Sequence, residues 1–242
     1  MRDLPQKLRE LFRATFLAAR LVAGRRFYLV AVWPLCWPAF LALLVVTGAA
    51  EEAYTDVSAQ GTLIGFPMAV LAIFLGVRVI AGEIDSRRLE IAYTVPGGSH
   101  RLWLTKLLAA WGILILVEIL LAIVAFVFFT SYPLQALYGA LQAATLYLVL
   151  AMWMGALFRS EVTGALVTLG ILFVNGFFSN FGGNQFRVSP FFNALVIARE
   201  DVDPAVILGW TIQNRIGFVL MILALTALAF GRAERREKML SG

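Results

Sequence analysis

Long apolar segments separated by short polar ones are the dominant feature of this sequence. A helix needs about 20 mostly apolar residues to cross the hydrocarbon core of a bilayer. Open sheets would leave backbone groups unpaired in lipid, and the segments lack the alternation of barrel strands. The sequence therefore predicts an all-α membrane protein with six transmembrane helices in a single domain over residues 1–242. The predicted spans are residues 27–47, 62–81, 107–129, 134–158, 162–181 and 206–230.

The composition argues against a soluble domain. Apolar residues make up 61% of the chain and charged residues 14%, whereas a soluble domain has about 25% charged residues. The single cysteine, Cys36, cannot form a disulfide within one chain. The net charge is +5, but Lys and Arg flank the apolar segments and form no stripe with interleaved aromatic residues. This distribution argues against a nucleic-acid partner.

The positions of Lys and Arg predict the orientation in the membrane. With six spans, one side receives 17 of the 20 basic residues. These 17 lie in residues 1–26, 82–106, 159–161 and 231–242 and at Arg78. The other side receives Arg187, Arg199 and Arg215. Because basic residues are enriched in cytoplasmic loops, both termini are predicted in the cytoplasm. The high content of Ala, Gly and Arg hints at a bacterial source, so the predicted location is the bacterial cytoplasmic (inner) membrane.

The first 26 residues have the pattern of an amphipathic helix, with apolar residues at helical spacing opposite basic ones. The apolar side contains Leu4, Leu8, Leu11, Phe12, Phe16 and Ala19. This pattern predicts a helix that lies on the cytoplasmic membrane surface before the first span. A short soluble helix packed on a partner is the alternative.

Residues 182–205 separate the fifth and sixth predicted spans on the outer side. Gly182 and Gly183 break a helix, and the apolar run after Pro190 is too short to cross the bilayer. We therefore expect a short re-entrant or interfacial helix in this segment.

Candidate catalytic groups are few. His100 is the only histidine, and Glu118 is the only acid inside a predicted span. These residues provide neither a Ser–His pair nor a His-based zinc site, and the sequence has no phosphate-binding loop for ATP. We expect no catalytic residue, no metal site and no cofactor bound by this chain, and therefore no enzyme activity of its own.

The predicted cytoplasmic loop 82–106 is rich in charge. Residues 83–93 suit a short helix, because Glu83 and Arg87 stand four residues apart and Asp85 and Arg88 three. Pro96 and the two glycines after it then end the helix. The pattern predicts a compact charged helix on the cytoplasmic face, and a simple solvated loop is the alternative.

This loop resembles that of the permease subunits of type-2 ABC transporters. The pattern in that family is E-x-E-x-G-T-L-E, a proline six residues later, and basic residues before the third span. The matching residues here are Glu83, Asp85, Leu89, Glu90, Pro96 and Lys106, with Arg101 near the expected basic position. Arg87 and Arg88 replace the usual Gly-Thr. The resemblance extends to the layout of the whole chain, from the amphipathic N-terminal helix to the basic tail.

The resemblance implies an ATP-driven exporter of an unidentified substrate, in which this chain pairs with a second, identical permease copy. Two separate ATP-binding subunits would bind ATP and Mg²⁺ and dock under the charged loop. The implied ATPase-coupling residues are Glu83, Asp85, Arg87, Arg88, Leu89, Glu90, Pro96 and Arg101. The alternative function is a non-transporting membrane anchor that couples an ATPase to the assembly or regulation of an envelope complex.

Glu118 lies near the middle of the third predicted span, where a charge costs on the order of 3 kcal/mol. It is either a gate, a substrate contact or a protonation site, or it forms a structural hydrogen bond to a neighbouring span, with Gln142 as one candidate partner. In the family, spans two and five line the transport path. The residues implied by this are Phe66, Phe74, Asn175 and Phe178, for which packing against lipid and other helices is the alternative.

Overall fold

A computed structural model describes residues 16–24, 27–49, 54–86, 93, 98–179, 187–198 and 202–235. This part of the chain contains helices and no strands, as the sequence predicts. Most of the predicted amphipathic helix 1–26 lies outside the described residues, and its described part is helical over residues 16–23 (α1). The other helices are α2 (Phe27–Val32), α3 (Cys36–Val46), α4 (Phe66–Asp85), α5 (Ser99–Phe128), α6 (Leu134–Phe158), α7 (Glu161–Ser179), α8 (Ala194–Ile197) and α9 (Pro204–Ala233).

Five helices in the described residues are long and apolar enough to cross a membrane. They are Asp56–Asp85, Ser99–Phe128, Leu134–Phe158, Glu161–Phe178 and Pro204–Ala233. The first of these includes a helical turn at Asp56–Ser58 and a π-helix at Ala59–Gly65, both of which precede α4. Each helix coincides with a predicted span, so the helices of these five predictions are confirmed, and their crossing of the bilayer stays a prediction. The helix Asp56–Asp85 extends past its apolar window at both ends, and Ser99–Phe128 extends past its window at the start, because helical hydrogen bonds continue into the polar sequence there.

The first predicted span, residues 27–47, is helical but not as one α-helix. A 3₁₀ turn at Trp33–Leu35 separates α2 from α3, and Pro34, which has no amide hydrogen to donate, lies in it. α3 has 11 residues, which is short of the roughly 20 needed to span the bilayer. The sixth span therefore remains a prediction.

Contacts with α4 define the direction of this interrupted segment. Arg78, in the second half of α4, donates a hydrogen bond to the backbone oxygen of Val22 at 3.2 Å. The indole of Trp37 donates to the backbone oxygen of Thr62 at 2.8 Å, just before α4. The segment from residue 22 to residue 37 therefore runs alongside α4 in the opposite direction.

α4 lies at the centre of the bundle, with 78% of its most apolar window buried. Small residues allow its close approach to α6. A Cβ atom placed on Gly76 would lie 2.2 Å from the backbone oxygen of Leu148, closer than any real side chain can come. Gly155 of α6 and Gly164 of α7 approach each other in the same way. Close backbone contact through small residues is typical of helices packed in membranes.

The long helices alternate in direction, so the bundle has two ends. At one end of the bundle, which we call the Glu83 end, the second half of α4 contacts Lys106 and Glu161. At the same end, Arg232 contacts the last turn of α6. At the other, the Gln60 end, the π-helix and α9 both form hydrogen bonds to the segment 187–198. The turn from α6 to α7 is short and ends α6 on Arg159, whose φ of 55° is left-handed.

The segment 187–198 packs onto the Gln60 end. Asn193 caps the four-residue helix α8 by accepting a hydrogen bond from the Leu195 amide at 3.0 Å. The side-chain amide of Asn214 donates to the backbone oxygens of Arg187 at 2.8 Å and Ser189 at 3.0 Å. Phe192 is fully buried. The helix predicted after Pro190 is present, but it has only four residues, and its depth in the bilayer remains a prediction.

Candidate functional site

The predicted ATPase-coupling loop leaves the bundle at the Glu83 end, where the end of α4 and the starts of α5 and α7 meet the end of α9. The first residues of the helix predicted over 83–93 belong to α4, which continues to Asp85. The third span likewise begins before residue 107, since α5 starts at Ser99 with Gly98 in front of it at a φ of 86°. The loop between the two helices is therefore shorter than the predicted 82–106.

Glu83 forms an ion pair with Lys106 of α5. The Lys106 side chain is 2% exposed and that of Glu83 is 14% exposed. A buried charge needs such a partner, because an uncompensated one costs about 3–5 kcal/mol. Glu83 therefore belongs to α4, and its charge is used inside the protein. Arg87 and most of the helix predicted over 83–93 lie outside the described residues, so that helix stays a prediction.

Asp85 and Arg78 hold α4 to the start of α7. The Asp85 carboxylate accepts a hydrogen bond from the backbone amide of Glu161 at 2.9 Å, which satisfies a free donor at the helix start. Arg78 donates to the Glu161 carboxylate at 3.4 Å. Because Arg78 also bonds Val22, these contacts join α4, α7 and α1.

The other side of the loop is held to α9. The hydroxyl of Tyr93 donates to the backbone oxygen of Ala233 at 2.5 Å. Its ring packs edge-on against Trp103 of α5, with 6.1 Å between ring centroids, and Trp103 in turn contacts Phe230 of α9. Arg232 donates to the backbone oxygens at the end of α6. Glu83 before the loop, Tyr93 within it and Trp103 after it thus all contact other helices of the bundle.

The remaining predicted coupling residues are distributed differently. Arg101 lies in the first turn of α5 and is exposed. Arg87, Arg88, Leu89, Glu90 and Pro96 lie outside the described residues. The docking surface itself therefore remains a prediction, whereas its attachment to the bundle is visible.

Phe66 and Phe74, two of the predicted path residues, share one face of α4. Most positions of α4 are buried. Up to residue 82, the exceptions recur every four residues, at Phe66, Val70, Phe74, Arg78 and Gly82. Trp37 packs on Phe66 with 4.7 Å between ring centroids, and the Arg78 guanidinium lies 4.7 Å from the centroid of Phe74. This exposed stripe of α4 is a narrow apolar surface bordered by a cation.

Asn175 and Phe178 lie on α7, whereas Phe66 and Phe74 lie on α4 and Glu118 lies on α5. Phe178 is exposed and packs edge-on against Phe177. The amide nitrogen of Asn175 is buried without a hydrogen-bond partner in the part of the chain that the structure describes. The role of these residues in a transport path remains a prediction.

Glu118 is buried in α5, and its Oε1 atom has no hydrogen-bond partner among the described residues. Gln142, the candidate partner, instead uses both ends of its side-chain amide on Arg215 of α9. The Glu118 charge acts on Tyr132, in the connection between α5 and α6. Burial, followed by this charge, raises the pKa of Tyr132.

Sequence reasoning missed the polar residues at the Gln60 end. It assigned Arg215 to the outer side, whereas Arg215 lies inside α9 and bonds Gln142 and the segment 187–198. The signal was present, since Arg215 falls within the apolar window 206–230 and an ionisable residue inside a span points to function. Gln60 carried no comparable signal, because its partner, Phe192, lies 132 residues away.

Comparison with family models, curated proteins and solved structures found no match for this chain. In the described residues, no three His, Cys, Asp or Glu side chains lie close enough together to hold a metal ion.

Proposed function

We propose that this chain is the membrane-spanning subunit of an ATP-driven exporter of the type-2 ABC class in the bacterial cytoplasmic membrane. Two copies would form the permease, and two separate ATPase subunits would bind ATP and Mg²⁺ and dock at the Glu83 end. The support comes from the loop pattern around Glu83 and Glu90, from the cations that gather at that end, and from five long apolar helices.

The observation that carries the proposal is the attachment of the charged loop to the bundle. Glu83 and Lys106 bind the helices on either side of the loop to each other, and Tyr93 binds the loop to the end of α9. A partner that binds residues 87–97 and moves would therefore displace α4, α5 and α9 together. A loop that served only as a solvated connection would need no such contacts.

In this proposal, closure of the ATPase subunits on ATP displaces the loop as a unit. Asp85 and Arg78 transmit the displacement to α7 through Glu161. Since α4 is packed closely against α6 through Gly76, these helices move as one body. Packed elements of this kind shift between discrete arrangements and do not deform continuously.

The exposed helices provide the surface for the second copy and for lipid. Only 17% of the most apolar windows of α7 and α9 is buried within one chain. The exposed stripe of α4, from Phe66 to Arg78, is the candidate lining of the transport path. Its apolar side chains suit an apolar or amphipathic substrate. The six-span topology with both termini in the cytoplasm belongs to the same proposal, and the antiparallel run of residues 22–37 along α4 supports it.

Co-purification with an ATPase tests the proposal. A tagged full-length chain is expressed together with any phosphate-loop ATPase that a neighbouring gene encodes, and it is purified from solubilised membranes. We expect the ATPase to copurify, and we expect Glu90→Lys to abolish this while membrane insertion is retained. The matched control is Glu234→Lys, since Glu234 is an exposed acid at the same end. Failure of the ATPase to copurify, or equal copurification with Glu90→Lys, would contradict the docking role.

The same complex in lipid vesicles distinguishes export from a membrane-anchor role. ATP hydrolysis that is stimulated by a small amphipathic compound, together with accumulation of that compound in the vesicles, supports export. Hydrolysis that responds only to a protein partner supports the anchor.

A further inference from the structure

A cavity of about 180 Å³ lies at the Gln60 end, away from the charged loop. It is enclosed by the π-helix before α4, the start of α6, the segment 187–198 and α9. Its lining residues are Gln60, Gln135, Tyr138, Asn193, Ala194, Thr211 and Arg215. All but Ala194 carry polar groups, and Arg215 is the only charged one.

Among the described residues, Arg215 has only neutral partners. Its guanidinium donates to the side-chain oxygen of Gln142 at 3.0 Å and to the backbone oxygen of Phe192 at 3.3 Å. It also lies 5.5 Å from the ring centroid of Tyr138. Neither ion pair in the described part of the chain includes Arg215. A cation inside a membrane helix without a counter-charge is costly, so a negative charge in the cavity would stabilise it.

The surrounding residues fix the position of the guanidinium. Gln142 donates back to the backbone oxygen of Arg215 at 2.8 Å. Gln60 donates to the Phe192 oxygen at 2.8 Å, the same oxygen that Arg215 bonds. A Cβ atom on Gly139 would lie 2.5 Å from the Gln60 amide and 2.8 Å from the Arg215 guanidinium. α6 therefore has a glycine where these two side chains need the space.

The chemistry of the lining specifies the ligand class. A guanidinium carries five N–H donors in a planar fork that matches a carboxylate or a phosphate, and the two hydrogen bonds of Arg215 leave donors free for the cavity. A water molecule occupies about 30 Å³ in the liquid, so the cavity accommodates an acidic head group but not a whole lipid. Arg215 lies roughly 16 Å along α9 from Pro204, at 1.5 Å per residue. Ile212 and Ile216, next to it on α9, are exposed, which places an apolar surface beside the cavity.

We propose that this cavity binds the carboxylate or phosphate group of an anionic amphiphile, with Arg215 as its counter-charge and the apolar part outside the cavity. The ligand is either a free amphipathic acid or a phospholipid of the bilayer, which share this chemistry. The site does not depend on the exporter proposal, because binding needs neither an ATPase nor a second copy.

Binding to the purified full-length chain in phosphatidylcholine nanodiscs tests the site. One arm compares a fluorescent long-chain fatty acid with its methyl ester. The other compares fluorescent phosphatidylglycerol with fluorescent phosphatidylcholine. We expect the wild-type chain to bind at least one anionic probe tenfold or more tightly than its uncharged or zwitterionic counterpart. The preferred probe identifies the source of the ligand. Equal binding within both pairs would overturn the proposal.

Three variants locate the binding. Arg215→Gln should abolish the preference for the anionic probe, whereas Arg101→Gln, which removes an exposed cation at the opposite end, should retain it. Gln135→Trp covers the case in which Arg215→Gln fails to fold, because Gln135 is exposed at the cavity and a larger side chain there blocks it. Unchanged preference in Gln135→Trp or in folded Arg215→Gln would refute this location.

Discussion

Charged residues at the Glu83 end act in pairs whose members lie far apart in the sequence. Glu83 and Lys106 are separated by 23 residues, and Arg78 and Glu161 by 83. Helical spacing within the loop favours Glu83 with Arg87, but local spacing cannot reveal a neighbour from another helix. The sequence could identify the charges at this end, and it predicts their side of the membrane. It could not identify partners that only the packing of α4 on α5 and α7 brings together.

The ion pair between Glu83 and Lys106 is expected to be important for stability. Replacing Glu83 by Gln leaves the Lys106 ammonium buried without a counter-charge, which should lower the free energy of unfolding by about 3 kcal/mol or more. Thermal unfolding of the purified chain in detergent measures the effect. Arg101→Gln removes an exposed charge from the same helix and should change stability by no more than about 0.5 kcal/mol.

A charge exchange tests whether the pair itself matters. The double variant Glu83→Lys with Lys106→Glu should recover part of the stability lost in Glu83→Gln, because the two opposite charges again lie together. If the double variant were less stable than both single variants, the pairing would not be the source of the stability.

At the scale of helices, the apolar windows predicted which segments are helical but not where the helices end. Leu107 began the third predicted span, whereas α5 starts at Ser99, because its first turns carry Arg101 and Lys106 and so lie outside an apolar window. The 3₁₀ turn at Trp33–Leu35 interrupts the first span at Pro34, which the apolar window did not predict. Close contact of α4 with α6 had no signal beyond the glycines.

Gly76 is expected to determine how closely α4 packs on α6. Gly76→Ala places a methyl group where the backbone oxygen of Leu148 lies, so the helices must separate. We expect a loss of about 1–3 kcal/mol in stability. Unfolding of the purified variant in detergent measures it.

The matched control for Gly76 is Gly170→Ala. Gly170 lies in α7, and a Cβ atom there would have nothing within 4 Å. Alanine at this position should be neutral or stabilising by up to about 1 kcal/mol, as expected from helix propensity. Equal destabilisation by both substitutions would show that the close approach at Gly76 is not the cause.

At the scale of the whole molecule, the two ends of the bundle have different chemistry. The Glu83 end has most of the cations and the charged loop, whereas the Gln60 end has amides, hydroxyls and the single cation of Arg215 around a cavity. In the proposed function, the ATPase subunits dock at the Glu83 end, and the Gln60 end faces the outside of the cell. The sequence predicted this division from the distribution of Lys and Arg. It could not predict the cavity, since four separate segments between residues 60 and 215 form it.

Labelling of single cysteines in intact cells tests the orientation of the bundle. In a Cys36→Ala background, Thr55→Cys at the Gln60 end should react with a membrane-impermeant maleimide, and His100→Cys at the Glu83 end should react only after the cells are opened. Both residues are exposed, so reactivity reports their side of the membrane. Reaction of His100→Cys in intact cells would reverse the orientation and separate the charged loop from any cytoplasmic ATPase.

The number of spans depends on whether residues 27–47 cross the bilayer. The side of the membrane on which residue 20 lies distinguishes the two cases. The contacts of Val22 with Arg78 and of Trp37 with Thr62 place residues 22 and 37 towards opposite ends of the bundle. We therefore expect Arg20→Cys in the Cys36→Ala background to be protected from the maleimide in intact cells, while Ala49→Cys reacts. Arg20 and Ala49 are both exposed, so burial cannot account for a difference. Reaction at both positions would show that the segment returns to the outer side, and that only the five long helices cross.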